Sequence, residues 1–537
     1  MLMKIAGHLA LTSLALLLIT PCLVFPADTD KGPPALVAPV SVASQPATPD
    51  YFAFQLGAPS AGGNLLYLPS SAVEPDRMRT KFRYELPPRL PGGADNTGPG
   101  FVLQRSEYAG RGFDLLAEMG DIRINETLNT AREASGRGGR LSLLTGYSGN
   151  AARFDTFAAT GAHGSAPDDV LVGATGEISI MGESARFKTI FLSGRELLDT
   201  EGRWPDSGSR KGDVLGFLAV IDPFKGKLAA EAEMNYSVFD RDTADDASAE
   251  RDKACRVKVG GEWGRSRYTA LYERTGPQYR LMADQGPVRD SQGVALGLET
   301  GFELHTFDVK LSRYNDNTEK SELYPRLNRT EGFIDYRFKG FKDLPLGLQY
   351  RKTFIDSTRE PLGFLAKDVE EDAIFARINY LAGKWDLGLR GGLSQRTDRL
   401  LDQRAATIST LGFLPKFNTG NVTLVPDFYL KRTKEFSTDL RTDHYAVNLG
   451  INGTLSEMLD YEVKGGFKKE ITDLPGTGKQ TVGAKVKAAY PLARFFKTAA
   501  GPSLGVRGEY KEINNRAYDR RDSDFSLLIS LEGGVFL

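Results

Sequence analysis

Near the C-terminus Glu462, Lys464 and Lys468, then Lys485 and Lys487, then Arg507, Glu509 and Lys511 fall on alternate positions within their stretches, and Glu231 and Glu233 do the same earlier in the chain. In an extended chain successive side chains point to opposite sides, so each set presents its charges on one face. Such a face can attract counter-ions, as rings of charge do in pores. It can equally close into a cross-strand ladder of opposite charges that stiffens a wall. The candidate functional residues are therefore Glu231, Glu233, Lys464, Lys485, Lys487, Arg507 and Glu509, with both readings open.

The elements that must hold these charges are strands. In KLAAEAEMNYSVFD (227–240), Leu228, Ala230, Ala232, Met234, Tyr236 and Val238 share one parity, and Lys227, Glu231, Glu233, Asn235 and Ser237 share the other. A helix would scramble that alternation. The pattern returns in Ile374–Tyr380, Tyr445–Ile451, Val482–Tyr490 and Phe525–Leu531, in segments of about 9 to 13 residues. That is the length of a tilted strand crossing a bilayer, and longer than most soluble strands.

The connections sort by length. Tight turns are predicted at Gly149-Asn150, Gly182-Glu183, Asp222–Gly226, Gly264-Arg265, near Gly301, at Gly383-Lys384 and at Asn418–Gly420, where glycine and asparagine tolerate hairpin dihedrals. Between them lie longer polar loops such as Leu197–Gly212, Thr275–Gly293, Asn315–Asn328 and Asp356–Asp372. Short alternating with long predicts an all-β, closed, antiparallel up-and-down transmembrane barrel of about 22 strands (22–26), running over residues 112–537. Its short turns would be periplasmic and its long loops extracellular. Pieces within 51–111 are either a periplasmic segment or the first strands.

Charge excludes little, since 68 Lys and Arg nearly balance 69 Asp and Glu, which gives no hint of nucleic acid. A basic residue at Lys4, the apolar run Leu9–Phe25 and Ala27 predict a secretory signal peptide over 1–27, followed by a Pro- and Ala-rich tether over 28–50. Cys22 would leave with the signal, so Cys255 cannot form an internal disulfide and stability must come from a hydrogen-bonded architecture.

Reactive motifs are missing. His8, His163, His305 and His444 are scattered, and there is no CxxCH, CxxC or HExxH. LPGTGKQT (474–481) fails as a phosphate loop, because Gln480 follows Lys479 and Asp473 stands where the first glycine is needed. The expectation is a non-enzymatic protein without cofactor or metal.

From about Gly112 to Leu537 the chain resembles Gram-negative outer-membrane β-barrel proteins. The resemblance lies in the signal peptide, the alternating strands, the loop asymmetry and the terminal stretch DFSLLISLEGGVFL, which is similar to the family's C-terminal assembly signal although it ends in Leu537 rather than Phe. It implies a location among outer-membrane lipid and recognition by the outer-membrane assembly machinery. It also implies a porin-like channel or conduit for solutes. Two alternatives come with it: a haem-free sheath around a multihaem cytochrome partner in an electron-transfer complex, and a surface receptor or secretion pore for a polymer or protein.

Overall fold

The computed structural model describes residues 77–536 apart from short stretches, the longest being 87–99, 161–168, 198–208, 283–288 and 493–501. The signal peptide and tether expected over residues 1–50 lie outside the described residues. Among these residues all regular elements are strands of one sheet, 10 to 17 residues long. They are β1 (Arg77–Leu86), β2 (Gly100–Ala109), β3 (Phe113–Ile124), β4 (Ala134–Tyr147), β5 (Asn150–Thr160), β6 (Val170–Ile180), β7 (Ala185–Leu197) and β8 (Ser209–Ile221). Next come β9 (Ala229–Asp240), β10 (Glu250–Trp263), β11 (Ser266–Thr275), β12 (Ser291–Phe302), β13 (His305–Asn315), β14 (Arg326–Phe338), β15 (Leu346–Thr358) and β16 (Asp368–Ala382). The last third holds β17 (Trp385–Asp398), β18 (Gln403–Asn418), β19 (Val422–Glu435), β20 (Arg441–Leu455), β21 (Leu459–Thr472), β22 (Gly478–Pro491), β23 (Ser503–Asn515) and β24 (Arg520–Phe536).

Each strand pairs antiparallel with its neighbours in sequence, and β1 pairs with β24 from Arg79 opposite Phe536 to Leu86 opposite Ile529. The sheet therefore closes on itself. The strand count is 24, within the expected 22–26, and the wall takes in first strands from Arg77, because β1 and β2 fill the seam between β3 and β24. The terminal stretch DFSLLISLEGGVFL lies in β24, half of the seam. At about 4.8 Å between strands and a tilt of about 40°, 24 strands enclose a backbone cylinder about 48 Å across.

Side-chain orientation follows the alternation. On β9 Glu233, Asn235 and Ser237 are 3%, 0% and 2% exposed, whereas Tyr236 is 44% exposed. Buried polar residues with exposed apolar neighbours are the reverse of a soluble sheet. The exposed face carries the apolar rows of the whole wall, among them Leu141, Phe217, Leu296, Leu348, Ile374 and Val447.

The tight turns form where glycine supplies a positive φ, as at Gly149 and Gly182. The two length classes of connection hold only as far as β17. Connections after odd-numbered strands reach 15 residues at 276–290 but shrink to four or five after β17, β19, β21 and β23, while 492–502 on the other end has eleven. The turn predicted near Gly301 falls at 303–304, leaving Gly301 within β12. The second half of LPGTGKQT is strand, since Gly478–Thr481 begin β22.

Candidate functional site: a half-filled lumen

Register carries one parity around the wall. Glu233 stands opposite Arg256, which stands opposite Glu273; further on, Glu462 opposes Lys487, Lys464 opposes Lys485, and Lys487 opposes Arg507. Glu231, Glu233, Lys464, Lys485, Lys487, Arg507 and Glu509 all project from the same inner face. They do not converge on one point, because β9 and β21–β23 occupy different sectors of the wall.

The two sectors differ in environment. Against β3–β10 the described residues of two connections, 125–131 without 128 and 276–282, fold inward and meet: the Tyr279 hydroxyl, fully buried, donates to the Asn129 carbonyl oxygen. Tyr279, Leu281 and Met282 join wall residues such as Ile122, Phe157 and Val214 in one buried apolar cluster. The connection 125–133 is also bolted to the wall by charge. Glu126 forms an ion pair with Lys188 Nζ at 2.5 Å and accepts Arg140 Nη2 at 3.3 Å, and Asp155 lies 3.7 Å from Arg140 and 2.9 Å from Arg153. Thr127 donates to Glu233 Oε1 at 2.5 Å, and Asn235 donates to the same oxygen at 2.8 Å. Glu233 is thus a structural bolt for an infolded connection rather than an exposed pore charge. Glu231 instead pairs with Arg256 at 2.9 Å and is partly exposed.

A third connection, 316–325, hangs on the second: Asp290 accepts the amides of Asn317 and Thr318 and the Thr318 hydroxyl, at 3.0, 2.7 and 2.9 Å. The seat of Met282 depends on two glycines, because a Cβ at Gly194 or Gly212 would lie 2.9 Å and 2.8 Å from Met282 side-chain atoms. Gly212→Val should therefore lift 276–290 from the wall at an overpacking cost of about 1–3 kcal/mol. Tryptic cleavage after Arg280 of the folded protein is expected to accelerate, and an unchanged rate would show that Met282 is not the anchor.

The inner face of β21–β23 is open. Lys464, Lys485, Lys487 and Arg507 have side chains 61%, 30%, 48% and 48% exposed. Two carboxylates there are each shared by two cations: Glu462 by Lys464 and by Lys487 at 3.1 Å, Glu509 by Lys485 at 3.4 Å and by Arg507 at 3.1 Å. The ladder reading and the ion-attracting reading therefore coexist. Over the three strands the inner parity holds seven Lys and Arg against four Asp and Glu, a surplus of three positive charges. Asp522 and Asp524 of β24 face the same interior near the end where 516–519 turns.

No family model matches the chain, and no curated protein matches it. Among solved structures it is similar to OpdK of Pseudomonas aeruginosa, crystallised with vanillate, at 12% identity over 66% of this chain and 99% of that one, with a TM-score of 0.32. It is similar to a mutant of the ferric enterobactin receptor PfeA of Pseudomonas aeruginosa at 9% identity, covering 86% and 80%, TM-score 0.45. A third is the FrpB iron transporter of Neisseria meningitidis, at 9% identity, covering 87% and 83%, TM-score 0.41. The closed wall itself rests on this chain's own strand pairing. The fold is a 24-strand up-and-down β-barrel.

Proposed function

We propose that the protein is a non-enzymatic outer-membrane channel that gives hydrophilic solutes a polar passage through lipid. The carrying observation is the sorting of the closed wall into an exposed apolar outer face and a charged inner face. A bilayer offers no water to backbone or side-chain polar groups, so a closed sheet with this polarity is one of the few forms that can span it. The infolded connections 125–133 and 276–290 occupy the side of β3–β10, so the passage runs along the inner face of β15–β24. The surplus of positive charge on β21–β23 gives that part of it a preference for anions. Purified full-length protein in planar bilayers is expected to show discrete ion-conducting steps, reversing on the anion side in a salt gradient; electrically silent bilayers would overturn the reading.

The breadth of the wall supports a second reading. A cylinder about 48 Å across, filled on one side only by the described residues, has room for a partner protein, such as the multihaem cytochrome of a conduit. Purification from the native membrane would then bring down a haem-absorbing companion, and its absence would leave the open channel.

A further inference from the structure

Met282 lies over Gly212, which stands opposite Phe239 at the mouth of the lumen where 276–290 folds in. Four arginines gather there. Arg280 places its guanidinium over the Phe239 ring, 5.6 Å from the centroid. Arg210 precedes Gly212 by two residues on β8, which keeps it on the inner parity of that rim, and Arg241, just past the end of β9, shares Glu250 with Arg280. Arg289 adjoins Asp290, whose amide donates to Gly276 across the base of the same connection.

Among the described residues, ion pairs join three of these arginines to only two carboxylates, Glu196 and Glu250. Arg241 is held by both oxygens of Glu250, at 2.9 and 2.8 Å. Arg210 is 3.9 Å from Glu196. Arg280 Nε is 3.9 Å from Glu250, buried, and without a hydrogen-bond partner among the described residues. Arg289 is exposed and in no ion pair among those residues. Among the described residues, Asp240, Asp242 and Asp245 accept local backbone amides, Asp252 accepts the Gln278 amide, and Asp290 holds Asn317 and Thr318. Burial first, then the positive charges of Arg241 and Arg289 and, more weakly, of Arg210, hold the Arg280 guanidinium below its ordinary pKa, with Glu250 opposing them.

We propose that Arg210, Arg241, Arg280 and Arg289 form a docking station for a free small oxyanion, phosphate or carboxylate, at the mouth of the lumen. The planar fork of a guanidinium matches two oxygens of such an anion and not a spherical chloride. The proposal deepens the channel reading by naming the class of solute, and it rests on that reading for its purpose.

The test is calorimetric titration of the full-length protein, folded in a neutral detergent, with inorganic phosphate and separately with acetate in low-chloride buffer. Saturable binding is expected for one or both, weakened at least tenfold in Arg280→Gln and in Arg289→Gln. Arg137→Gln, whose guanidinium pairs with Asp121, should bind as the parent does. Arg289 is exposed, so its variant keeps the test standing if Arg280→Gln does not fold. Absence of saturable binding to either anion, or affinity unchanged in the folded arginine variants, would overturn the station. A protein that conducts without binding removes this inference alone, and one that binds without conducting removes the channel alone.

Discussion

Glu126→Ala is expected to unseat the connection 125–133 and turn a fixed conductance into a larger, fluctuating one. Glu126 has a fully buried carboxylate, and the Lys188 and Arg140 side chains it holds are 9% exposed. Removing the acid leaves Lys188 buried with no other ion pair among the described residues, while Arg140 retains only Asp155 at 3.7 Å. Breaking one side of a buried pair in this way costs about 3–5 kcal/mol. At about 1.4 kcal/mol per tenfold, that shifts the balance of seated over unseated states by about a hundredfold or more. The wall itself should survive, because its ladder bonds on either side are untouched. Adding Lys188→Met removes the stranded charge and should restore much of the parental conductance, separating loss of the bolt from general damage. Single-channel recordings of Glu126→Ala indistinguishable from the parent would show that this connection does not narrow the passage.

The wall was largely legible in the sequence and the filling was not. Alternation in KLAAEAEMNYSVFD is local, and register then fixes which parity faces inward, so Glu231, Glu233 and the C-terminal cations land on the inner face as the spacing requires. β1 alternates as plainly, with Met78, Thr80, Phe82, Tyr84 and Leu86 on one parity and Arg79, Lys81, Arg83 and Glu85 on the other. The Pro- and Gly-rich stretch 87–99 that follows it leaves both a periplasmic segment and a first strand open in the sequence, and closure with β24 shows where it belongs.

The infolded connections depend on contacts far apart in sequence. Tyr279 and Asn129 are 150 residues apart, as are no residues in a local turn, and Thr127 and Glu233 are 106 apart. No local periodicity records such a meeting. A weaker signal was present: Tyr279, Leu281 and Met282 are apolar residues inside an otherwise polar loop, which need a surface to cover them. The same filling explains why the loop-length rule fades after β17. Connections of four or five residues are enough to join strands on a side where, among the described residues, no connection folds inward.

That open side gives the second large effect. Lys464, Lys485 and Lys487 are the candidates to neutralise together, because they are exposed and their carboxylates keep Arg507 nearby. Exposed pairs of this kind are worth little to stability, so the barrel should assemble normally. Changing all three to glutamine removes the surplus of three positive charges that β21–β23 present to the lumen. At about 10 Å and in about 0.1 M salt, a unit charge acts on a passing ion with about 0.15 kcal/mol after screening. Three of them give about 0.45 kcal/mol, roughly a twofold change for anions and an opposite twofold change for cations, hence about fourfold in the permeability ratio. The reversal potential in a potassium chloride gradient should move toward zero, and the shift should shrink in strong salt, where the Debye length falls to about 3 Å. A ratio unchanged at low salt would mean that ions do not pass along β21–β23, and that the alternating charges there serve only to tie the strands.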